Sequence, residues 1–450
     1  MRKTWLPLLL SIVVSGCVMA HEYRPPCPSP TSQKCGDALF EELTGQEMDP
    51  ALATEGRSAS ERRPYRVAFV EFDDRGEMFD RRQLEDAIRA VTSAKQDAQT
   101  LGRKAVLAFF VHGWKNNAAD SSGNVWGFRQ TLAGLAKQFG PVHTDGPARA
   151  PVVGVYIGWR GAVTNLPVVE EITFWGRHAK SENLPNAHMQ EALLKILQQA
   201  KGPNYDDPNT IAVLVGHSFG GAVLESALTQ TIEDKLLSRP MQSPADLIIF
   251  LNEAQEATRS YQLIDSMKAS GLQQDHCRAR LMADGRTRRF DQPMIVSVSS
   301  TGDYATRAFF PFGQLFLRPF NSLRHYPAPN SLGIDSQRPM FFNTTAHMSE
   351  FQSHVIEMYH VAAPSKSRDP EVVRSGASGC VPYLEYPDPG VTNIHYQIIA
   401  KPGSKNDTPY WVMHMPPSIV PDHSTIFTRN FRALLVGLIC ARTGECRPTS

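Results

Sequence analysis

The chain has 450 residues with a formal net charge of +1, hydrophobic residues at 42% and charged residues at 20%. That balance supports neither a nucleic acid nor a strongly acidic partner, since both need an excess of opposite charge. The length allows one large α/β core with insertions, or two domains.

Met1-Arg2-Lys3 precedes an apolar run from Trp5 to Val14, which ends in Val14-Ser15-Gly16-Cys17. A basic start, a short hydrophobic stretch and small residues predict a secretory signal over residues 1–16, too short to span a bilayer permanently. Its last four residues resemble the lipobox of bacterial lipoproteins. The resemblance implies lipidation at Cys17 and an exported, membrane-anchored protein of the cell envelope, periplasm-facing or at the surface. An ordinary cleavable signal cut near Ala20 is the alternative. Residues 17–64 are rich in proline, serine and charge and lack apolar periodicity, so they predict a lipidated tether. The other cysteines are Cys27, Cys35, Cys277, Cys380, Cys440 and Cys446. An even number in an exported chain suggests disulfides, and short separations favour Cys27–Cys35 and Cys440–Cys446, leaving Cys277–Cys380. No C-x-x-C or clustered Cys/His spacing points to a metal, and no cofactor signature is present.

From Tyr65 the pattern becomes βαβ, and residues 65–450 read as the folded domain. Apolar runs predict strands over Tyr65–Phe72, Ala105–His112, Val152–Gly158, Ile211–Val215, Asp246–Asn252 and Met294–Ser299. Several are continuously apolar, as parallel strands covered on both faces are. Helical patterns over Arg82–Val91, Val125–Gln138, Ala187–Gln199 and Ala222–Ile232 alternate with them, implying a mostly parallel sheet with helices on both faces. Residues 309–391 are less regular and predict an insertion over the sheet's carboxyl edge, with a helical piece near Glu350–Tyr359. Strands over Asn393–Ala400 and Tyr410–His414 flank the turn at residues 401–407. A closing helix is predicted over Ser424–Ile439, with Ser424 as its N-cap.

Gly216-His217-Ser218-Phe219-Gly220-Gly221 lies between a predicted strand and a predicted helix. A serine hydroxyl attacks only when held out of the sheet beside a base and near free amides, and small flanking residues permit the sharp turn that does this. With these residues in this order the chain resembles the α/β-hydrolases, over about Tyr65 to Ile439. The resemblance implies a Ser-Asp-His triad: Ser218 as nucleophile, Asp303 in Ser299-Ser300-Thr301-Gly302-Asp303 as the acid, and His423 before the closing helix as the base. Glu253 is the fallback acid. His414 is the rival base, ahead of His347, His354 and His395. The oxyanion donors would be the amides of Phe219 and of Trp114, the latter in Phe109-Phe110-Val111-His112-Gly113-Trp114. His112 and His217 read as structural histidines. Trp159 and Arg160 either line the substrate pocket or serve as a core cover and a solvated charge.

Asp303 and His423 are separated by 119 residues, far more than a strand-to-helix connection needs. Phe309, Phe310, Phe312, Phe316 and Phe320 in that stretch would shape an apolar acyl pocket or pack the insertion to the sheet. The expected function is a membrane-anchored serine hydrolase cleaving a small-molecule or lipid carboxylic ester through an acyl-enzyme. Amide, peptide or thioester cleavage by the same residues is the alternative, as is an inactive surface lipoprotein acting as an interaction module.

Overall fold

The apolar runs predicted as strands lie side by side. β1 (Phe40–Thr44), β2 (Arg62–Phe72), β3 (Ala105–Val111), β4 (Val152–Trp159), β5 (Thr210–His217), β6 (Leu247–Leu251), β9 (Ile295–Ser300) and β13 (Tyr410–Met415) form one sheet of order β1-β2-β4-β3-β5-β6-β9-β13. Every pair is parallel except β1 with β2. β3, β4, β5, β6 and β9 are buried at every position, which explains why they read as unbroken apolar runs rather than alternating ones. The computed structural model describes residues 22–26, 39–44, 62–73, 76–113, 116–140, 149–159, 187–236, 243–275, 279–281, 287–289, 292–317, 322–360, 383–388, 391 and 393–443.

Helices cover both faces of the sheet. On one face α1 (Arg81–Thr100), α3 (Ala187–Lys201), α4 (Phe219–Leu236) and α5 (Ala257–Ala269) bury Leu84, Leu193, Val223 and Leu263 in a common core. On the other, α2 (Gly123–Phe139) and the closing helix α8 (Arg429–Thr443) bury Phe128 and Leu434 in a second core. Each large side chain so buried contributes about 1.5–3 kcal/mol of transfer free energy. The connection from β3 to β4 runs through α2, while those into β3, β5 and β6 run through helices of the opposite face. The direction of winding therefore reverses beside β3 and β5, and the carboxyl ends of these two strands open the crevice where such sheets hold ligands.

Several elements differ from the sequence reading. The stretch expected as a helix near Glu350–Tyr359 is β10 (His354–His360), which pairs antiparallel with β12 (Ile394–Ala400) in a small sheet completed by β11 (Leu384–Pro387). Its His-Val-Ile-Glu-Met-Tyr-His sequence alternates buried and open positions, a period of two that a short window did not separate from a helical one. Tyr410–His414 joins the main sheet beside β9, so the two strands flanking residues 401–407 belong to different sheets. The closing helix starts at Arg429, not Ser424. Asp422 takes up the amides of Ser424 and Thr425 at 2.8 Å each in a local turn, and Thr428 caps the helix by accepting the Phe431 amide at 3.0 Å.

Part of the stretch expected as a lipidated tether is packed on the domain. Residues 40–44 form the edge strand β1. The Tyr23 and Arg24 amides donate to the Glu71 carboxylate at 2.8–3.1 Å, and the Arg24 guanidinium lies 4.2 Å from the Phe69 ring centre. Cys440 on α8 is disulfide-bonded; the other cysteines, the signal and the lipobox lie outside the described residues. No helix among the described residues is long and apolar enough to cross a membrane.

Candidate active site

Ser218 stands between the last residue of β5 and the first of α4, and its φ of 56° is in the left-handed region. A non-glycine residue there costs on the order of 1–2 kcal/mol, and the surroundings hold it in place. The Ser218 amide donates to the Leu251 carbonyl at 3.0 Å, while its own carbonyl takes the amides of Gly221 at 3.0 Å and Ala254 at 3.2 Å. The turn is sterically closed to larger residues. A Cβ on Gly220 would stand 2.3 Å from the Val111 carbonyl oxygen, and one on Gly113 would stand 2.7 Å from the Ser218 Cβ. The loop after β3 thus presses directly on the serine, as the winding reversal at these strands requires.

The three residues expected to act together are brought together. The Ser218 hydroxyl lies 2.7 Å from His423 Nε2, and His423 Nδ1 lies 2.9 Å from Asp303 Oδ2. A carboxylate only accepts, so His423 carries its proton on Nδ1 and its Nε2 is free to accept from the serine. Ser218 is 1% exposed and the Asp303 side chain 0%, whereas the His423 side chain keeps 18% of its surface open. His423 is therefore the member through which solvent reaches the group.

Asp303 lies just past β9 and is buried among donors. Oδ1 accepts the Ala305 amide at 2.9 Å and the Thr306 amide at 3.2 Å, and Oδ2 accepts the Thr306 hydroxyl at 2.6 Å as well as His423. Burial pushes its carboxyl upward, but the facing His423 and these donors outweigh that and hold it below the ordinary value. Glu253, the fallback acid, is equally buried, yet neither of its carboxylate oxygens has a hydrogen-bond partner among the described residues. Burial and then the neighbouring Glu225 raise it well above the ordinary value, and it does not bond His423.

Residues outside the expected set hold the His423 loop. His217 Nε2 donates to the His423 carbonyl at 2.7 Å, and burial pushes this imidazole down to about 3. Asn252, itself at φ 46°, donates to the Asp422 and His423 carbonyls at 3.3 Å each and accepts the Ser300 amide at 2.9 Å. The Ser300 hydroxyl donates to the Val420 carbonyl. The signal for these was weak: a polar residue at or just past the carboxyl end of an apolar strand, as at Ser300 and Asn252.

His112 is structural, as expected. It is buried, its Nδ1 donates to the Gly113 carbonyl at 2.8 Å, its Nε2 accepts the Trp159 amide at 3.0 Å, and burial lowers it to about 4. Trp159 is 3% exposed, stacks on His112 with ring centres 5.6 Å apart, and donates its indole N–H to the His112 carbonyl at 2.7 Å. That geometry fits a core cover propping the loop after β3, not a pocket wall. Trp114 and Arg160 lie outside the described residues. Phe219 is the first residue of α4 and is buried. Of the insertion's aromatics, Phe310 packs in the core, while Phe309 and Phe312, with Tyr304 beside Asp303, are over 60% exposed.

His414 and His347, the rivals for the base, stand on the far side of Asp303. His347 Nε2 lies 2.9 Å from the Thr306 hydroxyl oxygen, and His347 Nδ1 lies 3.2 Å from His414 Nε2. Neither bonds Ser218.

No family model matches the chain, and no curated protein matches it. Among solved structures, the phospholipase PlaB from Legionella pneumophila, in complex with thio-NAD, superposes with a TM-score of 0.23 at 12% identity over 67% of this chain. The match spans 50% of the phospholipase's length. At that level of superposition the likeness bears on neither activity nor ligand.

Proposed function

We propose that the protein is a serine hydrolase of the α/β-hydrolase type that cleaves a carboxylic ester through an acyl-enzyme. The observation that carries this reading is the hydrogen-bonded series from the Ser218 hydroxyl through His423 to Asp303, at 2.7 and 2.9 Å, built on a left-handed turn at the head of a helix. His423 Nε2 takes the Ser218 proton as the oxygen bonds the ester carbon, and the carbonyl electron pair moves onto its oxygen. The tetrahedral species then expels the alcohol oxygen, which leaves with the proton from His423. Water repeats the sequence on the acyl-serine, releasing the acid and restoring the hydroxyl. Asp303 keeps the imidazole proton on Nδ1 and stabilises the imidazolium. The oxyanion is assigned to the Phe219 amide, at the positive end of the α4 dipole, and to the Trp114 amide.

An apolar or lipid ester is the substrate class this reading favours, supported by the exposed Tyr304, Phe309 and Phe312 close to Asp303. Anchoring through lipidated Cys17 belongs to the same reading and predicts that Cys17→Ser releases the protein from membranes.

The test is fluorophosphonate labelling together with p-nitrophenyl esters of increasing chain length and a parallel set of peptide anilides. Wild type should label and turn over esters, and Ser218→Ala should lose labelling and on the order of 10⁶-fold in kcat. Equal labelling of Ser218→Ala would remove the nucleophile. Turnover of anilides alone would replace ester by amide.

A further inference from the structure

Behind Asp303, on the side away from His423, runs a second series of hydrogen bonds whose direction is set at both ends. Gln352 lies just before β10, and its amide orientation is independently determined. Its nitrogen faces the Ala346 carbonyl at 3.2 Å, which only accepts, and its oxygen faces the Lys401 ammonium at 3.2 Å, which only donates. That nitrogen also lies 3.3 Å from His414 Nδ1, so Nδ1 is the acceptor and neutral His414 carries its proton on Nε2. His414 Nε2 then donates to His347 Nδ1 at 3.2 Å, and His347 Nε2 donates to the Thr306 oxygen at 2.9 Å. The Thr306 hydroxyl proton has one place left, Asp303 Oδ2, at 2.6 Å. This is the same oxygen that holds His423 Nδ1.

We propose that the Gln352–His414–His347–Thr306 series positions Asp303, by fixing a hydroxyl proton on the carboxylate oxygen that orients His423. The proposal rests on the reading of Asp303 as the orienting carboxylate, and it makes these four positioning residues, not catalytic ones. It also gives the long insertion a task. His347 and Gln352 come from it, His414 from β13, and Thr306 from the turn of π-helix after β9 (Ala305–Phe309), so the acid is clamped by elements folded between it and its histidine. The series requires neutral rings, because a proton on His347 Nδ1 would face the proton on His414 Nε2. The surroundings favour neutrality: burial and then the adjoining His414 push His347 down to about 4, with Arg307 and His423 acting in the same sense and Asp303 opposing. Burial, then the charges of Arg307 and Lys401, lower His414 as well, with the Ala346 carbonyl opposing.

The experiment uses the full chain and compares Thr306→Val, Thr306→Ser, His347→Ala, His347→Gln and the double variant Thr306→Val/His347→Ala. Thr306→Val should lower kcat about 10- to 100-fold with KM unchanged, and His347→Ala about 3- to 10-fold. Thr306→Ser and His347→Gln, which keep a hydroxyl and a donor amide, should restore most of the rate. Because the residues act in series, the double variant should be no slower than Thr306→Val alone. The downfield Nδ1 proton resonance of His423 should move in Thr306→Val and His347→Ala, a readout that needs no turnover. If that resonance moves while wild-type protein neither labels nor hydrolyses esters, the hydrolase reading fails and the positioning stands. If both single variants fold with wild-type kcat and an unmoved resonance, the positioning is wrong. It is equally wrong if their losses multiply and follow the folded fraction.

Discussion

Two carboxyl groups sit just past neighbouring strands of the same sheet, Glu253 after β6 and Asp303 after β9, and both are sealed from solvent. They behave in opposite ways. Asp303 receives two backbone amides, a hydroxyl and an imidazole N–H, and its carboxyl is held below the ordinary range. Glu253 has no donor on either oxygen among the described residues, and burial and then a second buried acid, Glu225, push its carboxyl well above the ordinary range. Burial at a strand's carboxyl end is common to both. The donors decide which of them serves as an anion and which is merely a polar group left in the core.

The sharpest way to break this contrast is to neutralise each acid in turn. Asp303→Asn leaves the shape intact but removes the acceptor for His423 Nδ1, and should cost about 10⁴-fold in kcat. Glu253→Gln should stay within about threefold of wild type, since its side chain touches no reacting group. Ester turnover of the two purified variants decides it, and a large loss in Glu253→Gln with a mild one in Asp303→Asn reverses the assignment.

A second contrast lies in stability against pH. Burial raises Glu225 to about 7 from its ordinary 4.5, so the folded state retains a proton that the unfolded chain has released. Stability from this group is complete below pH 4.5 and declines as pH rises through about 7. Glu225→Gln cannot release that proton, and should be more stable than wild type at pH 8 by about 1–3 kcal/mol, with little difference at pH 4. Denaturant unfolding at the two pH values reads this. A gain of equal size at both would show that the effect is packing.

The smallest effect concerns the few donors that Glu225 does have. The Tyr410 hydroxyl donates to Ser260 at 2.9 Å, and Ser260 donates to Glu225 at 3.0 Å. Tyr410→Phe should cost about 1 kcal/mol of stability and leave turnover unchanged. A lost rate would tie this cluster to the site after all.

Much of this molecule was legible along the chain. The parallel strands announced themselves as unbroken apolar runs, and their predicted bounds fall within three residues of the observed ones. Ser218 was legible because the turn tolerates no side chain two residues to either side of it, at Gly216 and Gly220, so the glycines mark it. Asp303 and His423 were named from their order and from what flanks them. The short elements of the insertion were not legible. β10 depends on a partner far away in sequence, β12, while the start of α8 depends on which nearby hydroxyl caps the helix, Thr428 and not Ser424. The docking of residues 22–26 depends on Glu71, a single charged residue at the end of a strand, which leaves no pattern in their own composition.

By itself, then, the sequence determined the α/β class, the sharp turn at Ser218 and the order of the three polar groups, because strand burial and glycine geometry are local properties. Only the tertiary structure supplies a physical ground for preferring Asp303 to Glu253 and His423 to His414, preferences that order along the chain had already proposed. That ground is how many donors surround a carboxylate and on which side of it an imidazole stands, and both are supplied by segments that meet only when the chain is folded.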